Sequence, residues 1–174
     1  MGGPLSIGAG AFTEAMSCFA TGVAVVTVRD DRDDIGSTAT SLTSVSADPP
    51  IVMLAVVESS YLTEVIDRQG RFAVNVLGAG QKAIAGRFAA EGRPSARLLL
   101  AREAHHRGDH SGALLLDAAP AVLECAVLRR MADPESTGDH VVYFASVEAV
   151  GGADAPGPPG PPLLRYGGRY RSPQ

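Results

Sequence analysis

Residues 36–46 read Gly-Ser-Thr-Ala-Thr-Ser-Leu-Thr-Ser-Val-Ser, which places seven hydroxyls in eleven positions between two apolar runs, residues 23–28 and 51–57. As a strand this segment would carry Ser37, Ala39, Ser41, Thr43 and Val45 on one face and Thr38, Thr40, Leu42, Ser44 and Ser46 on the other. Neither face is apolar enough for simple burial. A polar group that rests against the segment would meet small side chains, hydroxyls and main-chain N–H groups, which suit a phosphate or the polar edge of a heterocycle. The alternative is a solvated loop or edge strand rich in Ser and Thr.

A chain of 174 residues with 45% hydrophobic content has the length for one domain with a core of its own, so residues 1–174 are read as a single unit. The ends, 1–10 and 171–174, are expected to be flexible. A net charge of −4 without a block of Lys or Arg gives no footprint for a nucleic-acid backbone. No apolar run reaches the length of a membrane span, and the N-terminus lacks the pattern of a signal peptide. Cys18 and Cys125 lie in apolar stretches without metal spacing, so both are expected in the core of a reduced, cytoplasmic protein.

Phe12, Ala15, Met16 and Phe19 recur at helical spacing, with Gly22 as a candidate C-terminal cap. Residues 23–28 read as a strand, and the charged stretch 29–34 as a solvated turn that returns the chain as a hairpin. The continuous apolar run 51–57 suggests a strand buried on both faces. A short helix follows, capped by Ser59 or Ser60 and stopped by Gly70. Residues 72–77 form a further strand and 81–90 a further helix, while 102–111 are expected as surface loop. Residues 121–128 and 141–150 are long strands joined by turn chemistry, and 151–162, dense in Gly and Pro, is a loop. About six strands without regular alternation of helices predict a mainly β protein, an antiparallel sheet that closes or half closes with helices at its rim.

Four constellations compete for function. Gly78-Ala79-Gly80-Gln81-Lys82-Ala83 follows a strand and opens a helix, as a dinucleotide fingerprint does, and would make the chain an NAD-dependent dehydrogenase with Glu103 as the acidic partner. Against it, no run of strand–helix–strand units follows. His106 and His110 would share one face of a helix and hold a metal, although no third ligand is evident outside the cluster and no metal is expected. His140, after the Gly138-Asp139 turn, opens a strand and projects over the sheet rim, where an imidazole can bond a carboxamide or move a proton. The C-terminal stretch 163–170 adds aromatic rings and two arginines, usable for a stacked ring and its phosphates.

Taken in order, Phe19-Ala20-Thr21-Gly22-Val23, the stripe 36–46 with Asp48-Pro49-Pro50, Phe72-Ala73-Val74-Asn75-Val76-Leu77, Gly138-Asp139-His140 and the terminal Leu-Leu-x-Tyr-x-x-x-Tyr resemble the short-chain flavin reductases, the reductase components of two-component flavin-dependent monooxygenases. The resemblance spans about residues 12 to 170. It implies an FMN-binding split β-barrel with peripheral helices, a homodimer that uses NADH or NADPH to reduce FAD or FMN, with a lean to FAD, and a separate monooxygenase as partner. It also implies that Ser37, Thr38, Ala39, Thr40 and Ser41 hold the isoalloxazine edge and that Ser44 and Ser46 reach the ribityl phosphate. His140 and Tyr170 would meet the nicotinamide. Ser59 and Ser60 open a helix whose free N–H groups and dipole favour a phosphate on physical grounds as well. Thr40 and Ser37 depart from the Asn and Met frequent at those places. A flavin-binding protein of the same fold without enzymatic activity is the alternative reading.

Overall fold

The structure is a computed structural model and describes residues 7–152 and 160–173. In chain order it forms α1 (Ala9–Ser17), β1 (Thr21–Gly22), β2 (Ala24–Val28), β3 (Ile35–Ala39), β4 (Leu42–Ala47), β5 (Pro50–Val57), α2 (Tyr61–Gln69) and β6 (Arg71–Val76). There follow α3 (Lys82–Ala89), α4 (Ala96–Leu99), β7 (His105–Arg107), β8 (Leu114–Leu116), β9 (Ala121–Met131), α5 (Pro134–Thr137), β10 (His140–Gly151), β11 (Leu164–Tyr166) and β12 (Arg169–Arg171). Of the expected flexible ends, residues 1–6 and 174 lie outside the described residues, while Ala9 and Gly10 begin α1 and Arg171 closes β12. Part of the expected loop, residues 153–159, also lies outside them.

Seven strands form one antiparallel sheet in the order β3-β2-β6-β9-β10-β5-β4. Its two outer edges, β3 and β4, are consecutive in the chain and are joined only by Thr40 and Ser41. The hydroxyl stripe therefore is the seam of a curled, half-closed barrel. An edge strand has one row of unpaired N–H and C=O groups, which explains why this segment is polar on both faces.

The helices fill the two sides of the sheet. Alternation along β2 sends Val25 toward a cluster with Phe88, Ile84, Leu100, Leu115 and Leu163, and Val26 and Val28 toward a second cluster with Leu54, Ile66, Phe72 and Tyr143. All five residues of β2 are buried. The strand buried on both faces is thus β2, with β6 beside it, and not residues 51–57 as expected. β5 alternates, with Val52 and Leu54 buried and Met53 and Ala55 half-buried, because it neighbours the edge strand β4 and no helix covers its outer face fully. Ser60 caps α2 by accepting from the Thr63 N–H at 3.2 Å, and Gly70 ends it in the left-handed region at φ 64°.

Several expectations change. The first helix stops at Ser17 with Cys18 as its cap, Gly22 joins β1 instead, and the apolar side chains Phe12, Met16 and Phe19 are exposed. Cys18 is exposed as well, whereas Cys125 is buried, which pushes its thiol up to about 12. Residues 102–111 are not all surface loop. β7 pairs with β8, and Glu124 of β9 ties the following turn down by accepting from the His110 N–H at 3.0 Å and the Ser111 N–H at 2.6 Å. His105 and His106 lie on this strand, so the helical metal face does not form. His106 Nδ1 instead meets Asp117 at 2.6 Å.

The charged turn 29–34 is not simply solvated. Asp30 and Asp34 are buried. Asp34 receives both ends of the Arg107 guanidinium at 2.9 and 2.8 Å. Asp30 accepts from the Tyr61 hydroxyl at 2.6 Å and from Arg68 at 2.5 Å. These bonds, the Tyr61 hydroxyl foremost, hold its carboxyl below the ordinary carboxylate range. A group shifted down contributes stability above its unfolded value and loses it as pH falls through its folded value. Asp30→Asn is expected to lower stability at neutral pH by about 1–3 kcal/mol. It should also flatten the decline below about pH 4. Urea unfolding of both proteins across pH checks this, and parallel acid limbs would refute it.

Candidate functional site

The seam opens onto a cavity of 250 Å³. Ser37, Thr38 and Ala39 come from the end of β3, Thr40 and Ser41 from the link, Ala55, Val56 and Val57 from β5, Ser60 and Leu62 from the start of α2, and His140 from β10. These elements converge because β10 pairs with β5 in a register that sets His140 opposite Val57, and α2 begins just beyond that strand end.

Many hydroxyls here are already engaged. Thr38 Oγ1 donates to the Ala85 carbonyl of α3 at 2.7 Å, and Ser41 Oγ donates to the Ala55 carbonyl at 2.6 Å. Thr63 Oγ1 donates to the Val57 carbonyl at 2.7 Å. The Ser60 hydroxyl, 3.0 Å from Thr63 Oγ1, therefore gives its proton to Thr63. What the site offers a ligand is chiefly main chain. Among the described residues the N–H groups of Thr40 and Ser41, and those of Tyr61 and Leu62 in the first turn of α2, donate to no protein acceptor. One pair suits the polar edge of a ring, and the other, at the positive end of a nine-residue helix, suits an anion.

His140 Nδ1 lies 2.7 Å from Asp139 Oδ1, and this bond, first, holds the Asp139 carboxyl below its ordinary value. The carboxylate assigns the Nδ1 proton, so Nε2 accepts when the ring is neutral and donates when it is protonated. The imidazole is oriented from behind by an exposed carboxylate, which leaves one nitrogen for a ligand.

Of the residues expected in the site, the structure brings Ser37, Thr38, Ala39, Thr40, Ser41, Ser60 and His140 to one cavity. It does not bring Ser44, Ser46, Ser59 or Tyr170 to its wall. Ser44 is exposed and Ser46 half-buried farther along β4, Ser59 precedes the cap of α2, and the Tyr170 ring packs on the core beneath the Arg165 guanidinium, 5.1 Å from its centre. Sequence reasoning missed Val26, Ala55, Val56, Val57 and Leu62. The signal for them was positional, since small and apolar residues opposite a polar edge form a slot for a flat ring.

The candidate fingerprint 78–83 does not form a dinucleotide site. Gly78 donates its N–H to Gln81 Oε1 at 2.8 Å, so the turn closes on itself, and the strand before it, β6, belongs to an antiparallel sheet. A second recess, 750 Å³ between α1 and β11, shares Thr40, Ser41 and Ala55 with the seam cavity. A third, 630 Å³, lies by β8 and the outer end of β10 and carries none of the seam's hydroxyls. Among the described residues no helix is long and apolar enough to cross a membrane, and no cluster of His, Cys, Asp and Glu has the geometry to hold a metal.

Comparison with known proteins agrees with this arrangement. Residues 16–174 match the family model described as flavin reductase like domain. The chain is 38% identical over 161 residues to the reductase component of 4-hydroxyphenylacetate 3-monooxygenase of Thermus thermophilus, covering 92% of this chain and 94% of that protein. It is 37% identical over 159 residues to an NADH-dependent FMN reductase of Streptomyces nodosus subsp. asukaensis, covering 91% and 82%. The solved structure of an NADH:FAD oxidoreductase of Streptomyces globisporus, in complex with NAD and FAD fragments, superposes with a TM-score of 0.79 at 34% identity, covering 92% of this chain and 90% of that one. A match over nearly the whole chain, together with a half-closed barrel whose polar seam meets His140, places the protein in the flavin reductase-like family.

Proposed function

We propose that this protein reduces FAD or FMN with NADH at the barrel seam and hands the reduced flavin to a separate flavin-dependent monooxygenase. The observation that carries the reading is the single cavity uniting the stripe 37–41, the first turn of α2 and His140. The flavin, when bound, supplies a ring that accepts a hydride from the nicotinamide, and the oxidised nicotinamide nucleotide leaves. The chain's own share is orientation and electrostatics. The free N–H groups of Thr40 and Ser41 would hold the polar edge of the ring and supply hydrogen bonds to negative charge there. The Tyr61 and Leu62 N–H groups and the α2 dipole would hold the phosphate. His140, fixed by Asp139, would offer Nε2 to the nicotinamide carboxamide and so set the approach of the donor.

The seam is a shallow rim of small residues, which supports exchange of flavin as a substrate and its release to the oxygenase. Exposed Val45 on β4, Leu128 on β9 and Val150 on β10 leave apolar surface uncovered and support a homodimer. The free cysteines and the use of NADH support a cytoplasmic location. We take the described strands and helices as one domain around this sheet.

NADH consumption by purified protein with FAD, with FMN and without flavin tests the reading. Oxidation that depends on added flavin is expected. Flavin binding without NADH oxidation would leave a binding protein of the same fold, and oxidation indifferent to flavin would exclude the seam as the reaction centre. His140→Ala is expected to lower turnover with NADH about tenfold or more while changing flavin affinity little. Equal loss of both would make His140 structural.

A further inference from the structure

The chain has four methionines, and two of them, Met16 of α1 and Met53 of β5, line the same 750 Å³ groove. The groove continues into the seam cavity through Thr40, Ser41 and Ala55, which line both. Met53 pairs with Thr43 of β4 and Phe144 of β10, and it stands two positions before Ala55 on the same row of β5. Two residues of strand span roughly 7 Å, and a methionine stem is unbranched and flexible, so the Met53 sulfur has the length to reach the mouth of the slot proposed for the flavin ring. Met16 stands on the opposite wall and is 47% exposed. Met131, half-buried like Met53, ends β9 and lines none of the three recesses, and Met1 lies outside the described residues.

We propose that Met53 and Met16 are oxidised to methionine sulfoxide when flavin reduced at the seam meets dioxygen before it leaves, and that this modification silences a reductase working without its oxygenase. The proposal rests on the reductase reading and adds to it a limit on unproductive turnover. The step balances with dioxygen as the one added reagent. Reduced flavin gives up two electrons and two protons, and the thioether sulfur gives up two electrons. The O–O bond breaks, one oxygen atom forms the S–O bond of the sulfoxide, and the other leaves as water with the two protons. The flavin ends oxidised and ready for the next hydride.

The surroundings of the two sulfurs give the modification its consequence. A thioether is flexible and apolar, while its sulfoxide is polar and chiral. Both methionines share the groove with Phe12, Phe19 and Leu42, so the added oxygen sets a polar group among apolar side chains. Helix α1 buries none of its residues and faces the body across this groove, which makes its seating a contact easily lost. An oxygen on Met53 also takes up space at the Ala55 end of the slot. Of the other sulfurs, Cys18 is exposed but lines neither recess, and Cys125 is buried in the core, so the two thioethers are the sulfurs that face the groove.

The test is peptide mass spectrometry of wild type turned over in air with FMN and NADH, in the dark and with catalase, so that neither illuminated flavin nor free hydrogen peroxide acts. Met53 and Met16 are each expected to gain one oxygen atom while Met131 stays unmodified, and flavin-dependent NADH oxidation is expected to decline in step. Methionine sulfoxide reductases should restore the lost activity. The double variant Met16→Leu, Met53→Leu keeps volume and apolar character, and should start at the wild-type rate without the decline. Hydrogen peroxide added to flavin-free protein should instead modify Met53 and Met131 alike, since both are half-buried. The proposal is overturned if Met131 is oxidised as fast as Met53 during turnover, or if no modification survives catalase, which would make peroxide in solution the oxidant. It is overturned equally if added peroxide alone prefers Met53 to Met131, or if the decline persists in the double variant. The reductase reading fails separately, when flavin does not stimulate NADH consumption. FMN reduced beforehand and mixed with aerated protein then still tests the methionines by the same masses.

Discussion

Ala55→Phe is expected to weaken flavin binding, and with it flavin-dependent NADH oxidation at low flavin, while leaving the protein folded. Ala55 is half-buried on the outward row of β5 and lines both the seam cavity and the adjoining groove, whereas the core row of that strand is Val52 and Leu54. A phenyl ring there enters the slot and not the core. To admit a flavin the slot would have to repack at a cost of about 1–3 kcal/mol, a loss of roughly 5- to 150-fold in affinity. The Ser41 hydroxyl bonds the Ala55 carbonyl and not its side chain, so the seam's own hydrogen bond survives. Flavin titration and urea unfolding check the two halves. Retained flavin affinity would show that the ring binds elsewhere, and a collapse of stability would show that Ala55 belongs to the core.

Gly36→Ala is expected to have the largest effect on stability of any single methyl added to the seam. Gly36 is buried in β3, and a Cβ there would lie 2.7 Å from Phe88 Cε1 and 2.8 Å from the Val26 carbonyl oxygen. Phe88 is fully buried and cannot swing away, and the carbonyl is part of the central strand β2. Overpacking of this kind costs about 1–3 kcal/mol, and relief by lifting β3 would move the neighbouring Ser37 and Thr38 at the cavity wall. The Thr38 bond to α3 would stretch as well. The variant should therefore lose both stability and flavin affinity, in contrast to Ala55→Phe, which loses affinity alone. Unchanged unfolding by urea would mean that β3 does not sit on α3 as described.

What could be read from the sequence, and what could not, divides along local and distant partners. The cap and the stop of α2 are set by residues within one turn: Gly70 stands where the pattern places it, and Ser60 is the one of the two candidate serines that caps. The hydroxyl stripe announced a polar surface because edge strands need one. Its role as the seam depends on β3 and β4 ending at opposite sides of a seven-stranded sheet, which no local pattern encodes. Residues 51–57 have the more continuous apolar run, yet burial on both faces belongs to β2. Continuous apolar character reports hydrophobicity, while burial is decided by which strands the helices cover. The burial of Asp30 and Asp34 has no local signal because their partners, Arg68 and Arg107, lie 38 and 73 residues away. Tyr170 has the residue type expected near a nicotinamide. The β11–β12 hairpin turns its ring inward and leaves Arg165 and Tyr166 facing the groove.

The most direct measurement is a crystal structure of the protein soaked with FMN. The account predicts the isoalloxazine edge on the N–H groups of Thr40 and Ser41, the phosphate at the first turn of α2 and His140 beside the open face of the ring. Flavin bound away from the seam, with residues 37–41 facing bulk solvent, would contradict it.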